Sequence, residues 1–128
     1  MKKILSMVNS EDVRRVLKEI SLELNISLDF TNKLTDFFYN LEENEYQVLI
    51  IENYSHNIDI LKIIQIAKKI RPRIPQIIIS DDSDKQLMGL IHQEGIFYKC
   101  VPPIDKVIMQ KTLQSSLDFF QKKNELNL

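Results

Sequence analysis

The chain has 128 residues and is 44% hydrophobic, which suits one domain built round one core. Its 17 basic and 18 acidic side chains nearly cancel, and no basic block is long enough to give a nucleic-acid footprint. A lone cysteine, Cys100, excludes a disulfide framework and fits a reducing compartment, and no apolar run is long enough to span a membrane, so the expectation is a soluble cytoplasmic protein.

"MKKILSMVNSED" begins like a secretory leader, but its apolar part is too short and meets Glu11 and Asp12 at once. "KILSMV" (3–8) is read as a buried strand. From Ser10 to Leu24 the apolar residues Val13, Val16, Leu17, Ile20 and Leu24 recur at helical spacing, with Glu11 and Asp12 in the first turn where the helix dipole favours acids. "ISLDF" (26–30) alternates as a half-buried strand does. Thr31 is placed to cap a second helix whose core side is Leu34, Phe37, Phe38 and Leu41. "QVLIIE" (47–52) is a third strand. A helix over Ile58–Arg71 follows, with Leu61 and Ile64 inward, and stops before Pro72. "QIIIS" (76–80) is a fourth strand, and "DDSD" caps a short helix that Gly95 ends. "IFYKCV" (96–101) is a fifth strand, and a last helix runs over Asp105–Lys123. Residues 124–128 are read as a short polar tail outside the 1–123 domain.

Five βα units whose strands are continuous in Ile, Leu and Val predict an α/β domain: a doubly wound, five-stranded parallel sheet covered on both faces. In such sheets sites form at the carboxyl ends of the strands. The residues to watch are therefore Val8 and Asn9, Glu52 and Asn53, Ser80 and Asp81, and Pro102 and Pro103. Asp81 and Asp82 read as capping residues at a helix start. His56 and His92 have no partner at ligand spacing and form no metal set with Cys100, which reads as inert core. Met88 and Tyr39 lie off the core stripes of their helices and read as exposed.

Five βα units in this length, an acid ending strand three (Glu52), a hydroxyl ending strand four (Ser80) and a proline after strand five together resemble a bacterial response-regulator receiver domain, over about residues 2–121. The resemblance implies the flavodoxin-like receiver fold. It also implies where the activity would reside, and most of those positions depart from the family's pattern. The two acids that hold Mg²⁺ after strand one are replaced by Val8 and Asn9. The phosphoryl-accepting aspartate is replaced by Glu52, and the lysine after strand five by Pro102 or, one residue earlier, Val101; Ser80 is retained. The family's switch aromatic falls at Lys99 or Tyr98. The bond before the family's proline is cis, so Val101–Pro102 or Pro102–Pro103 is expected to be cis.

Phosphoryl transfer to a carboxylate needs its oxygen charges neutralised, chiefly by Mg²⁺ and a lysine, and Mg²⁺ recruits carboxylates. The expectation is a degenerate, non-enzymatic receiver with a lost Mg²⁺ site and no cofactor. Glu52 imitates a phosphorylated state or, the reading favoured here, is a solvated acid at a strand end. Ser80 either bonds to whatever occupies the site or caps the helix after it. On the last helix Met109, Leu113, Leu117 and Phe120 form the core stripe. Ile108, Thr112 and Phe119 lie about a quarter turn away, either widening that stripe or forming an interaction face. The resemblance favours the latter, because receivers commonly dimerise or contact outputs through helix four, strand five and helix five.

The function these readings point to is a stand-alone pseudo-receiver that signals by protein contact. Its partner would be a signalling protein such as a histidine kinase or a chemotaxis- or motility-type protein, or a second copy, and not nucleic acid or membrane. Two rivals are a phosphorylatable receiver using Glu52 or Asp59, and a small-molecule-binding flavodoxin-like module. The second of these lacks a glycine-rich loop after strand one, where the sequence is "VNSEDV".

Overall fold

In the computed structural model the apolar runs and amphipathic stretches resolve into β1 (Lys3–Met7), α1 (Glu11–Leu24), β2 (Ser27–Thr31), α2 (Leu34–Glu43), β3 (Val48–Glu52), α3 (Ile60–Ile70), β4 (Gln76–Ile79), α4 (Lys85–Gln93), β5 (Tyr98–Cys100) and α5 (Lys106–Leu126). The structure describes residues 2–54, 59–81 and 83–126. His56, Asp82 and the expected helix start at Ile58 lie outside them.

All five strands are parallel, in the order β2-β1-β3-β4-β5. Because successive side chains in a strand point to opposite faces, each strand divides its residues between two cores. Leu5, Met7, Leu49, Ile51 and Ile78 face α2, α3 and α4. Ile4, Val48, Ile50, Ile77 and Ile79 face α1 and α5. This two-sided burial explains why β3 and β4 are unbroken apolar runs.

The helix ends follow from local chemistry. Asp59 caps α3 by accepting the Lys62 N–H at 3.1 Å, and Asp84 caps α4 by accepting that of Leu87 at 2.9 Å. Asn25 ends α1 in the left-handed conformation at φ 54°, and Gly95 follows α4 at φ 78°. Arg71 reaches back to the carboxyl end of α2, donating from Nε to the Leu41 carbonyl at 3.1 Å and from Nη2 to that of Glu42 at 3.0 Å. Lys106 ties α5 to α1 through Glu23 at 2.6 Å and Glu19 at 3.5 Å.

Several expectations need correction. Thr31 does not cap α2: it is the buried last residue of β2, and its hydroxyl donates to the Ser6 carbonyl at 3.0 Å. Leu34 sits in the first turn of α2 and is exposed, so the core side begins at Phe37. Met88 is buried against the α2–α4 core rather than exposed, since the apolar stripe of α4 is wide enough to include it with Ile91. Residues 124–126 continue α5 instead of forming a tail, because no glycine or proline stops the helix at Lys123. Tyr39 is exposed, as read, and so is His92.

Candidate functional site

The carboxyl edge of the sheet is organised by strand parity. Glu52 shares its parity with Val48 and Ile50, so its side chain emerges on the α1 side. There Oε1 accepts two backbone N–H groups from the β1–α1 connection, that of Asn9 at 2.8 Å and that of Ser10 at 3.0 Å. Ser10 is the residue preceding the first turn of α1, and its own hydroxyl makes no capping bond. The Glu52 carboxylate therefore supplies the negative charge that the amino end of α1 favours, through charge-assisted hydrogen bonds. Only 5% of Glu52 is exposed. This corrects the reading of a solvated strand-end acid: its longer side chain folds back over the edge of the sheet and is consumed there.

Val8 is wholly buried in the α1–α5 core with Val13, Ile50 and Ile79, so it lends the site a backbone and no side chain. Its carbonyl accepts Arg14 Nε at 2.8 Å, and the Arg14 guanidinium lies 5.3 Å from the centre of the Phe30 ring. Asn9 is exposed. Arg14 carries no motif that marks it in the sequence. Only its position one turn into α1, beside an aromatic in β2, points to a cation fixed over this loop.

Asn53 and Ser80 share the opposite parity. Asn53 Nδ2 donates to Ser80 Oγ at 3.2 Å, and Ser80 Oγ donates to the Asp81 carbonyl at 3.2 Å. Ser80 is 2% exposed and does not cap α4; Asp84 does. Asp81 Oδ1 instead accepts the Ser83 N–H at 3.1 Å in a local turn. The structure thus divides the sequence-predicted residues into two sets, Glu52 with Asn9 (and with Ser10, which the sequence did not single out), and Ser80 with Asn53 and Asp81.

On the fifth connection the Pro102–Pro103 bond is cis, one of the two alternatives expected. Val101, Pro102 and Pro103 are exposed, and the Cys100 carbonyl accepts the Ser80 N–H at 2.9 Å. Lys99 lies in β5 opposite Ile78, one strand residue below the edge. Cys100 is buried, and burial pushes its thiol up to about 11, which fits inert core. Asp59, the alternative acceptor, serves as the α3 cap described above.

On α5, Ile108 and Phe119 are 51% and 44% exposed, but Thr112 is 8% exposed and donates to the Ile108 carbonyl at 2.8 Å. Thr112 therefore belongs to a widened core stripe with Ser116, while Ile108 and Phe119 lie outside it. The Phe119 ring packs at 5.5 Å against Phe97, beside β5. Among the described residues no group of three His, Cys, Asp or Glu side chains is arranged to hold a metal ion, and no helix is long and apolar enough to cross a membrane.

No family model and no curated protein matches the chain. Solved structures do. A signal receiver domain of an HD domain-containing protein from Pseudomonas fluorescens Pf-5 matches with a TM-score of 0.86 at 20% identity, over 97% of this chain and 92% of that one. A CheY-like response regulator receiver domain protein from Methanospirillum hungatei JF-1 gives 0.85 at 13%, over 96% and 98%. A response regulator receiver domain protein from Clostridium thermocellum gives 0.82 at 18%, over the whole of both chains. At these identities the likeness establishes the fold: this is a five-stranded, flavodoxin-like receiver architecture over nearly its full length.

Proposed function

We propose that the chain is a signalling module of receiver architecture that works in the cytoplasm through protein contact and runs no phosphorylation cycle. The observation that carries this reading is the fate of Glu52. Its Oε1 is committed to the Asn9 and Ser10 N–H groups and the residue is buried. The residues present do not fit a Mg²⁺ ion: Val8 is core, Asn9 offers a neutral amide, and the remaining carboxylate already serves the amino end of α1. With Pro102 after β5 in place of a cation, the position that holds a lysine in receivers brings no charge to a transferred phosphoryl group, and Arg14, the cation beside the β1–α1 connection, is engaged by the Val8 carbonyl and the Phe30 ring. Function then falls to a surface, and Ile108 and Phe119 on α5 are the exposed apolar residues best placed to serve one, beside the open edge strand β5.

Incubating the protein with acetyl phosphate and Mg²⁺, followed by intact mass measurement, tests the reading. No phosphorylated species is expected. A phosphorylated species that Glu52→Gln abolishes would overturn it.

A further inference from the structure

The edge of the sheet opposite Glu52 carries a cavity. α5 is 21 residues long, about 31 Å of helix, against about 17 Å for a five-residue strand, so its last turns overhang the amino edge of the sheet. Phe120 lies in that overhang. It packs against the core on the α2–α3 face, although Met109, Leu113 and Leu117 of the same helix belong to the other core. Below the edge, Phe120 and Tyr46, with Ile70 and Ile74 from either side of the α3–β4 turn, line a cavity of about 540 Å³.

Its walls are held in place. Tyr46 donates its hydroxyl to Asp29 at 2.7 Å, and Gln47 Oε1 accepts the Lys3 N–H at 2.5 Å, which leaves Gln47 Nε2 unused in the lining. Arg71 is fixed by the Leu41 and Glu42 carbonyls. Arg73 differs: it lines the cavity, is exposed, and makes no ion pair or hydrogen bond among the described residues. The charges around it leave a positive surplus. The carboxyl end of α2 is met by Arg71, and that of α3 carries Lys68 and Lys69. Glu45 is the one acid in the lining and is ion-paired with neither arginine. In the adjoining cavity Lys2 and Glu125 offset each other.

We propose that this cavity binds a small planar aromatic carboxylate, its ring against Phe120 and Ile74 and its carboxylate on Arg73. The volume lies in the range of small-molecule sites, about 300–1,000 Å³, and the wall is apolar and aromatic with few polar groups. One turn of helix, about 10 Å across and 5.4 Å high, would take about 420 Å³, so a small molecule fills the space better than a segment of chain. Arginine matches a planar carboxylate through two parallel N–H donors, whereas a cation would meet two arginines against one acid.

NMR titration of the intact, isotope-labelled protein with naphthoate, and with naphthamide as its neutral isostere, tests the proposal. Naphthoate should shift the amides of Gln47, Arg73 and Phe120 and leave those of Asn9 and Ser10 in place. Arg73→Gln should weaken binding by about tenfold, the worth of one hydrogen bond to a charged group, and naphthamide should bind the native protein as weakly. Glu45→Gln should tighten binding. Phe120→Leu should weaken it, with the fold checked by circular dichroism. Naphthamide binding as tightly as naphthoate, an unchanged affinity in Arg73→Gln, shifts centred on Asn9 and Ser10, or no saturable shift at millimolar naphthoate would overturn the proposal. The phosphorylation assay reads the opposite edge of the sheet and is independent of these outcomes.

Discussion

Truncating Glu52 separates a tether from a solvated acid. Glu52→Ala removes a carboxylate that accepts two backbone N–H groups, at 2.8 and 3.0 Å, from a position 5% exposed. Hydrogen bonds to a charged group are worth about 1.5–3 kcal/mol each. Two effects reduce the sum. The carboxylate is dehydrated in the folded state, and the freed N–H groups sit at exposed Asn9 and half-buried Ser10, where water can replace it. A net loss of about 2 kcal/mol is expected. With an unfolding entropy of about 2.1 cal/mol/K per residue, that lowers the melting temperature of a chain this size by about 7 °C. Glu52→Gln keeps an acceptor oxygen and loses the charge, so it should cost about half as much. Glu52→Asp should behave like the alanine variant, because the shorter arm does not span the gap to α1. Urea unfolding followed by circular dichroism, with thermal melts alongside, measures all three. A solvated strand-end acid predicts changes within about 0.5 kcal/mol for every variant. That result would refute the tether.

Millimolar Mg²⁺ should leave the melting temperature where a matched salt control puts it, since only a ligand that binds the native state stabilises it; a magnesium-specific rise would show a working metal site. Phe119→Ala should cost about 1 kcal/mol, the worth of its ring contact with Phe97, whereas Leu117→Ala, one helical position set into the core, should cost about 2–5 kcal/mol in the same urea titration. If the two cost the same, Phe119 is core and not surface. Burial raises the Cys100 thiol above its unfolded value, so the folded state holds that proton more tightly; its contribution is fully present below about pH 9 and is lost as pH rises toward about 11. Cys100→Ala should flatten that alkaline fall in stability, and an unchanged fall would assign it to other groups. Native Cys100 should also resist thiol reagents near neutral pH and react once unfolded, as followed by absorbance.

The fold was legible because burial on both faces of a parallel sheet writes itself as apolar runs of one strand's length. The sequence marks β3 and β4 this way, and the structure places each within one residue of the expected bounds. Boundaries set by local hydrogen bonding were harder to read. Thr31 has the composition of a cap, yet its hydroxyl is drawn to the Ser6 carbonyl by strand pairing, which no local pattern records. Met88 shows the same limit. Its place in α4 looks peripheral by helical spacing, but a nine-residue helix pressed on the sheet buries a wider arc than its central stripe.

The site was legible by position and not by contact, and parity is what links the two. Counting alternate residues back from Glu52 through Ile50 to Val48 puts its side chain on the same face as α1; counting from Ser80 through Ile78 puts the hydroxyl on the other. The same count sends Asn53 to the Ser80 side. An aspartate in place of Glu52 would share its direction and end one methylene short of the α1 amides. With glutamate, the parity that would aim an acid at an incoming group aims it at the amino end of a helix in its own chain. Val8 acts from below, since an apolar side chain just past β1 gains more from the α1–α5 core than from the polar edge, and the Asn9 and Ser10 N–H groups that follow it are what Glu52 meets. The edge therefore holds together as one arrangement: an apolar residue that withdraws into the core, and an acid long enough to reach the amides at the start of the helix.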